Sequence, residues 1–441
     1  MELGLQEPAR IRSADILKLC ARHDFYRYEV RSSLTRLDGE KCEPARFHVL
    51  CLARILLQQT PLPKCADEAC VRHTLIIALA FFLSGFSAAL ATEYQVPATP
   101  GNLQKLIDSV SLTGGDRLVL APGYHGTLVI RGLQFEEPLT ITAAGGGAPN
   151  LDQLIVDASS GIRIRKISVI PVSKPAPDEA LVSVDESKAI ELEHLTVASA
   201  FSSQDWSAPQ WRENVRNGVF LSGQDISLTD SLVFNVRHGI STVADGAKIE
   251  RNIIENFAGD GIRGIGDNSS YVENTIDTCI DIDDNHDDGF QSWSLDEDGR
   301  PGKGVVRNVR VERNRISNGD HRFTCHLQGI GLFDGIYENW VISGNTITVD
   351  HWHGITVMGA RNVVVSDNFV TDFRPGKPGA PSVTIMAHKD GRQAENSSVE
   401  RNVTQPWLGG AGSPFNQAHP GVTLIENRVL ETTRSGTIPA K

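Results

Sequence analysis

The sequence predicts an all-β protein built as a solenoid, a parallel β-helix, and two repeating patterns indicate this fold. A polar–Gly–apolar tripeptide recurs at intervals of 21, 22, 28, 40 and 25 residues, and a single Asn or Asp recurs at intervals of 22, 22, 40, 31, 23, 34 and 25 residues. Short apolar runs broken by Gly and Asn, in units of about 22 residues, are typical of β-solenoids. The tripeptides start at Asn217, His238, Asp260, Asp288, Gln328 and His353, and the second series is Asp230, Asn252, Asn274, Asn314, Asn345, Asn368, Asn402 and Asn427.

Both patterns predict local geometry. Strands of successive coils pair about 4.8 Å apart, and side chains alternate between the two faces of each strand. We therefore expect Val219 and Leu221 to point into the coil and Phe220 to point out, with the same alternation in each later tripeptide. The recurrent Asn is expected in a tight turn with left-handed backbone geometry, which Asn tolerates better than most residues.

The first 91 residues differ from the rest. Residues 1–70 hold five of the seven cysteines and show no period. Arg72 and His73 precede the apolar run Thr74–Leu83, and Ala89-Leu90-Ala91 follows, which is the pattern of a secretory signal peptide over residues 71–91. We interpret residues 1–70 as the product of a misassigned start and residues 92–441 as the β-helix domain. The alternative is a signal anchor, because residues 74–91 are just long enough to span a bilayer.

Charge and cysteine usage narrow the class of protein. Residues after position 91 carry 30 basic and 44 acidic side chains, a balance of −14 that argues against nucleic-acid binding. We expect a secreted or periplasmic monomer with no stable membrane span once the leader is removed. Cys279 and Cys325 lie two steps apart in the Asn series, too far for a disulfide unless inserted loops bring them together.

The start of the domain resembles a known superfamily. Leu103, Leu106, Ile107 and Val110 mark one face of a short helix, and the run Gly115–Tyr124 (G-D-R-L-V-L-A-P-G-Y) follows. A capping helix before this motif resembles the start of right-handed parallel β-helix proteins of the pectate-lyase-like superfamily. The resemblance covers about residues 96–430 and implies a right-handed fold. That superfamily includes polysaccharide lyases, glycoside hydrolases, uronan epimerases and non-catalytic proteins.

Insertions indicate a binding face. A loop with two tryptophans occupies residues 202–214, and extra residues occur at 281–304, 317–328 and 375–396. Because insertions in solenoids map to loops on one face, we expect them to flank the tripeptide column and form a groove for an extended polymer. The run 281–288 holds five aspartates, and unpaired carboxylates are costly to bury, so we expect it at the surface.

The column itself supplies candidate catalytic residues. Stacked coils place Asp260 beside Asp288, with His353 two coils further on, and paired carboxylates shift one another's pKa so that one acts as acid and the other as base. The segments A-G-D-G at 258–261, D-D-G at 287–289 and W-H-G at 352–354 resemble motifs of polygalacturonase-type hydrolases, although no R-I-K motif follows. The resemblance implies catalytic roles for Asp260, Asp287, Asp288 and His353.

We therefore expect an exported enzyme that cleaves an acidic polysaccharide, as a glycoside hydrolase without a cofactor. The alternative is a Ca²⁺-dependent lyase or uronan epimerase, with Ca²⁺ held by Asp281, Asp283, Asp284 and Asp287. The third possibility is a non-catalytic carbohydrate-binding β-helix. The expected substrate-binding residues are Arg263, Gln291, Trp293, Gln328, His351, Trp352 and Lys389.

Peptide mapping of the native protein tests the domain boundaries. We expect the first peptides to begin near Thr92, because cleavage after Ala91 removes the leader and residues 1–70 are not translated. Peptides recovered from residues 1–70 would contradict this interpretation.

Overall fold

The computed structural model describes residues 91–172, 179–374, 380–406, 413–415 and 419–431. The predictions for the segment 1–90 lie outside these ranges. The described residues belong to one compact unit. None of the helices within the described ranges is long and apolar enough to cross a bilayer.

The described chain is almost entirely β-structure. Its two helices are α1 (Asn102–Ser109) and α2 (Ala208–Asn214). The strands, in chain order, are β1 (Glu93–Val96), β2 (Arg117–Leu120), β3 (Gly123–Arg131), β4 (Gln134–Ala143), β5 (Pro149–Asp157), β6 (Ser160–Arg165), β7 (Ser168–Val169), β8 (Ala180–Glu193), β9 (Thr196–Ala198), β10 (Asn217–Thr229), β11 (Leu232–Val236), β12 (Ile240–Thr242), β13 (Lys248–Glu250), β14 (Ile253–Phe257), β15 (Ile262–Gly264), β16 (Ser270–Val272), β17 (Thr275–Cys279), β18 (Asp288–Trp293), β19 (Val305–Arg307), β20 (Arg310–Glu312), β21 (Arg315–Ser317), β22 (Gln328–Asp334), β23 (Ile336–Glu338), β24 (Val341–Ser343), β25 (Thr346–Val349), β26 (His353–Met358), β27 (Ala360–Arg361), β28 (Val364–Ser366), β29 (Phe369–Asp372), β30 (Ser382–Met386), β31 (Ser397–Glu400), β32 (Val403–Thr404), β33 (Val422–Ile425) and β34 (Arg428–Val429).

The strands stack in parallel into three long ladders, so the predicted parallel β-helix is confirmed. Sheet A runs from β1 through β2, β4, β6, β8, β10, β13, β16, β20, β24, β28 and β31 to β33. Sheet B runs from β7 through β9, β11, β14, β17, β21, β25, β29 and β32 to β34. Sheet C runs from β3 through β5, β8, β10, β12, β15, β18, β22 and β26 to β30. A separate short ladder joins β19, β23 and β27.

Strand alternation builds the interior. In sheet C the register aligns Val219, Ile240, Ile262 and later equivalents in one column, and these side chains are buried. The residues between them, such as Phe220 and Ser241, face outward and are partly exposed. The prediction of inward and outward positions is therefore confirmed. Each buried aliphatic chain stabilises the coil by about 1.5–3 kcal/mol relative to an exposed one.

The Asn series lies inside the coil rather than in the turn where we expected it. Asn252 and its later equivalents are buried, and the residue before each one has the positive φ, as at Arg251 (55°) and Arg313 (53°). Each Asn Oδ1 accepts hydrogen bonds from the backbone N–H and the side-chain amide of the preceding Asn in the series. Asp230 occupies the positive-φ position, and Ser231 stands in the stack in its place.

A second series of asparagines does occupy the left-handed positions. Asn268, Asn308, Asn339 and Asn362 have φ between 53° and 60°, and their exposed side-chain amides bond one another from coil to coil at 2.8–3.2 Å. The sequence period did not separate this series from the buried one, because both recur once per coil.

The N-terminal cap forms as predicted. Helix α1 buries Leu103 and Ile107, and strand β2 spans the expected residues Arg117–Leu120. Gly101 precedes the helix with φ of 80°, a conformation that a side chain would strain. The helix thus covers apolar surface that the first coil would otherwise expose to water.

The loop 202–214 is pinned to the solenoid by its tryptophans. Ser207 and Gln210 form a capping box at the start of α2. Trp211 is fully buried and packs edge-on against Trp206, with ring centroids 5.3 Å apart. Two of their neighbours, Ile282 and Phe323, come from two other insertions. The whole apolar cluster comprises Trp206, Trp211, Val215, Ala258, Ile280, Ile282 and Phe323.

The inserted loops do bring Cys279 and Cys325 together, and the two residues form a disulfide with Cα atoms 5.5 Å apart. The insertion before β22 turns back on β17, so that Ile280 and Thr324 form an antiparallel bridge. The N–H of Cys325 donates to the carbonyl of Cys279 at 3.3 Å. The inserted loop therefore removes the distance that direct coil stacking would impose.

Replacing Asn345 with Ala tests the buried Asn stack. The change leaves the backbone N–H and side-chain amide of Asn314 without their acceptor, and the carbonyl of Val311 without its donor. Unsatisfied buried groups cost about 1–3 kcal/mol each, so we expect a loss of at least about 3 kcal/mol in the free energy of unfolding. Denaturant unfolding of the purified variant measures it.

The matched control is Asn339→Ala in the exposed series. It loses only solvated amide contacts and a left-handed preference, so we expect a cost of about 1 kcal/mol. Equal losses for the two variants would contradict the structural role of the buried stack.

Candidate functional site

The tripeptide column lies at the start of the sheet C strands, beside an open groove on the outward face. Two adjoining depressions of about 460 and 420 Å³ form this groove. The first extends from β5 to β15, and the second reaches β22. Arg263 and Trp293 line both depressions and therefore mark the point where they meet.

Asp260 holds a buried ion pair at this meeting point. Its Oδ2 accepts from Arg263 Nε at 2.6 Å, and its Oδ1 accepts from the backbone N–H of Asp288 at 3.0 Å. Burial raises the pKa of Asp260, and the Arg263 charge acts against that rise. Because its two oxygens have charged and backbone donors, Asp260 is the carboxyl of the column best suited to hold a negative charge.

Asp288 is fully buried one coil further on. Its Oδ2 accepts from Gln291 Nε2 at 3.0 Å, whereas its Oδ1 has no hydrogen-bond partner among the described residues. Burial raises the pKa of Asp288 well above its usual range, and the negative charge of Asp260 raises it further. Of the two stacked carboxyls, Asp288 therefore holds a proton more strongly than Asp260 does.

His238 contributes a neutral imidazole to the same cluster. The backbone N–H of Asp260 donates to His238 Nδ1 at 3.0 Å, which requires an unprotonated nitrogen there. Burial, with the charges of Arg263 and Arg237, lowers the pKa of His238 to about 2. Sequence reasoning placed His238 in the column without a role, and its role is to orient the backbone at Asp260.

Asp287 points away from the groove, toward the disulfide. Its Oδ1 accepts from Asn285 Nδ2 at 3.0 Å, and its Oδ2 lies 3.3 Å from Cys279 Sγ. A disulfide sulfur has no proton to donate, so this contact favours a protonated carboxyl. Burial raises the pKa of Asp287 to about 8. The Asp287 side chain thus packs against its own loop and the disulfide, and it is close enough to Asp260 and Asp288 for their charges to interact.

The acidic run was expected at the surface, and this expectation is correct for three of its five aspartates and wrong for the other two. Asp281, Asp283 and Asp284 are exposed, but Asp287 and Asp288 are buried. Asp283 pairs with Arg237 at 3.1 Å. Hydrogen bonds to Asp287 and Asp288, together with their raised pKa values, offset the free-energy cost of burying these two carboxyls.

The residues proposed for Ca²⁺ do not converge. In the described ranges, the only group of three ligand-type side chains close enough to share an ion is Cys279, Asp287 and Cys325, whose sulfurs are bonded to each other. Ca²⁺ takes six to eight oxygen ligands, and exposed carboxylates pointing to solvent do not supply them. The acidic run as folded here does not fit a Ca²⁺ site.

His353, at the last position of the column, forms an aromatic group with His351 and Trp352 beyond the groove. His353 Nδ1 bonds Thr356 Oγ1 at 2.8 Å and its ring stacks with His351, with centroids 5.1 Å apart. Burial lowers the pKa of both imidazoles to about 4, so both are neutral at pH 7. Trp352 packs on His351 and is 50% exposed.

The other predicted binding residues differ in how deeply they are buried. Arg263, Gln291 and Trp293 line the groove, with the Arg263 guanidinium 5.7 Å from the Trp293 ring centroid. Lys389 reaches the rim of the second depression, where it pairs with Asp334 at 2.7 Å. Gln328 is buried at the start of β22.

Sequence reasoning missed Phe333 and Asp334, which line the second depression, and Gln153 and Glu179, which line the first. Phe333 lies two residues beyond the outward position of its tripeptide, so continuing the alternation by one step would have found it. Gln153 and Glu179 precede the regular repeats and carry no such signal.

Comparisons with known proteins support the fold. The sequence model of the family described as "Right handed beta helix region" matches residues 213–397. With the three parallel ladders, this match identifies the domain as a right-handed parallel β-helix. No curated protein sequence matches the chain significantly.

Solved structures of several kinds are similar to the chain at low identity. The chain is 14% identical to the Dettilon tailspike protein, with a TM-score of 0.46, covering 74% of this chain and 66% of that one. It is 13% identical to the A-module of a mannuronan C-5 epimerase from Azotobacter vinelandii, with a TM-score of 0.42, covering 75% and 95%. It is 10% identical to a surface adhesin of Streptococcus pneumoniae, with a TM-score of 0.43, covering 74% and 84%.

Replacing Asp287 with Asn tests the buried carboxyl through the pH dependence of stability. The folded-state pKa of about 8 exceeds the ordinary value of 3.8, so the native state binds a proton that the unfolded chain releases. Its contribution to stability is complete below pH 3.8 and is lost as pH rises to about 8, by up to about 1.4 kcal/mol per pH unit. We expect the variant, followed by its melting temperature, to show a shallower decline than the wild type from pH 4 to pH 8.

The control Asp284→Asn removes an exposed charge from the same loop and should keep the wild-type decline. An Asp287→Asn variant with the full wild-type slope would show that Asp287 is ionised in the folded protein.

Proposed function

We propose that this protein is an exported, monomeric enzyme that binds an acidic polysaccharide along the sheet C groove and cleaves it as a glycoside hydrolase. The observation that carries the proposal is the Arg263–Asp260 ion pair beside the meeting point of the two depressions, with Asp260 Oδ1 accepting from the backbone N–H of Asp288, a buried residue whose carboxyl pKa is raised. The proposed proton donor, Asp288, thus lies beneath the groove and one coil away from the proposed anion-binding group, Arg263.

The shape of the groove supports a polymeric ligand. Its lining residues come from seven successive strands, from β5 to β22, a span of about 29 Å at the usual strand spacing. Phe220 and Trp293 provide ring surface for stacking against sugars. Several consecutive sugar units fit this length.

Arg263 is the group that would recognise the acidic sugar. Its Nε is engaged by Asp260, which leaves the remaining guanidinium N–H groups for a carboxylate in the groove. A uronate bound there competes with Asp260 for Arg263. Substrate binding would then free Asp260 Oδ2 to activate water, while Asp288 donates its proton to the leaving oxygen.

The cysteines support the proposed export. The Cys279–Cys325 disulfide supports an oxidising environment, such as the periplasm or the exterior of the cell. It also supports the proposed leader at residues 71–91.

Cleavage by β-elimination, or epimerisation, is the second candidate, and the neutral histidines favour it. Arg263 would neutralise the uronate carboxylate, and a neutral imidazole such as His353 could accept the α-proton. We derive no step through Ca²⁺, because the acidic run does not converge on an ion. An unsaturated product, detected by its ultraviolet absorbance, distinguishes this candidate from hydrolysis.

Asp288→Asn and Asp260→Asn test the catalytic pair on a panel of acidic and neutral polysaccharides, with reducing ends and unsaturated products both measured. We expect each variant to lose turnover by about 10²–10⁴-fold while binding is retained, because proton transfer acts in the transition state. A chelator should have no effect on the wild type.

The control Asp284→Asn should keep full activity. If both column variants retain near wild-type turnover on a confirmed substrate, the groove is not the active site. If the wild type binds a polysaccharide but releases no product, the protein is a non-catalytic carbohydrate-binding β-helix.

A further inference from the structure

Three of the column side chains bond the outward residue three positions later. Asp260 pairs with Arg263 at 2.6 Å and Asp288 with Gln291 at 3.0 Å. His353 bonds Thr356 at 2.8 Å. Each pair closes the end of its own coil and satisfies the buried polar atom of the column.

The Gln328 coil cannot form this pair, because the residue three positions later is Gly331. Gln328 is buried, and its Oε1 has no hydrogen-bond partner among the described residues. Asp288 is the register partner of Gln328 on the preceding coil, and its Oδ1 likewise has none. Buried polar atoms left without partners cost about 1–3 kcal/mol each, so two on adjacent coils mark a place built for a hydrogen-bonding group.

Gly331 lets two side chains approach the backbone of the Gln328 coil closely. It is not among the glycines with positive φ, so backbone freedom does not explain it. A Cβ added there would collide with Asp288 Oδ1 and with the ring edge of Phe333. Both groups therefore lie over the outward face of Gly331.

Phe333 separates this space from the groove. Its ring lines the second depression and packs edge-on against His353, with centroids 4.9 Å apart. Asp288 Oδ1, on the other side, is inaccessible to solvent. One aromatic side chain thus lies between the carboxyl and the proposed path of the substrate.

We propose that Phe333 is a movable cover over a closed subsite at Gly331, which admits a hydroxyl or glycosidic oxygen of a sugar. Rotation of the ring opens the subsite, and the entering oxygen accepts from the Asp288 carboxyl while its own hydroxyl, where it has one, donates to Gln328 Oε1. The identity of the ligand rests on the proposed function, whereas the cover itself does not.

Infrared spectroscopy of the Asp288 carboxyl, assigned by subtracting the Asp288→Asn spectrum, tests the cover without any substrate. After transfer to D₂O, we expect the carboxyl band of Phe333→Ala to exchange at least tenfold faster than that of the wild type, because water reaches Oδ1. Phe220→Ala removes a ring of equal size four coils away and should exchange at the wild-type rate. Equal exchange in wild type and Phe333→Ala would overturn the cover.

The subsite is tested with D-galacturonic acid and D-glucose as probes. Either sugar should move the carboxyl band of Phe333→Ala to lower frequency, and Gly331→Ala, with a Cβ in the subsite, should abolish that shift in the double variant. If exchange accelerates but neither sugar moves the band, only water enters and the subsite proposal is wrong.

On a polysaccharide that the wild type cleaves, Gly331→Ala should lower turnover at least tenfold, with melting temperature recorded as a check on folding. Phe333→Ala should shift the alkaline limb of the kcat profile to lower pH. Water that reaches Asp288 should lower the pKa that burial raises. Phe220→Ala should raise KM without moving that limb. If no polysaccharide is cleaved, the proposed function fails, and the infrared outcomes still decide the cover and the subsite.

Discussion

Coil-to-coil register is the constraint on which the rest of this molecule depends. Parallel hydrogen bonds and the buried Asn stack hold each coil directly over its equivalent, so that residues 22 to 40 positions apart become neighbours. The stack is strict because each Asn Oδ1 accepts from two N–H groups of the coil before it, and a slip by one residue would leave all of them unpaired. Insertions are tolerated between strands because they leave this register unchanged.

The same register creates the electrostatics of the site. A polar residue at one position of the repeat becomes a column of polar residues, and two carboxyls one coil apart cannot both ionise cheaply in a buried setting. Arg263 makes Asp260 the easier of the two to ionise, because its guanidinium bonds the Asp260 carboxyl and not that of Asp288. The result is two adjacent buried carboxyls of which Asp288 has the more strongly raised pKa, the kind of difference that acid–base chemistry uses. A single aromatic ring, Phe333, then keeps water from Asp288.

Periodicity explains what could be predicted from the sequence. The parallel β-helix, the inward column and the adjacency of Asp260 and Asp288 all follow from the repeat, because stacking converts sequence spacing into spatial neighbourhood. Features set by the insertions do not repeat, and these were missed: the closure of the Cys279–Cys325 disulfide and the burial of Asp287 beside it. The sequence revealed the Asn series, but we expected it in the turn and the structure has it inside the coil. A period locates a residue along the chain without showing which way its side chain points.

The central claim is that register makes Asp260 and Asp288 a coupled pair in which Asp288 keeps the proton. Carbon-13 NMR of aspartate carboxyls, assigned with Asp260→Asn and Asp288→Asn, measures this most directly. The account predicts that the Asp288 carboxyl remains protonated at pH 7 and that its pKa falls when Asp260 is replaced by Asn, because a negative charge has been removed. An Asp288 carboxyl that titrates in the ordinary range near 4, unaffected by Asp260→Asn, would contradict it.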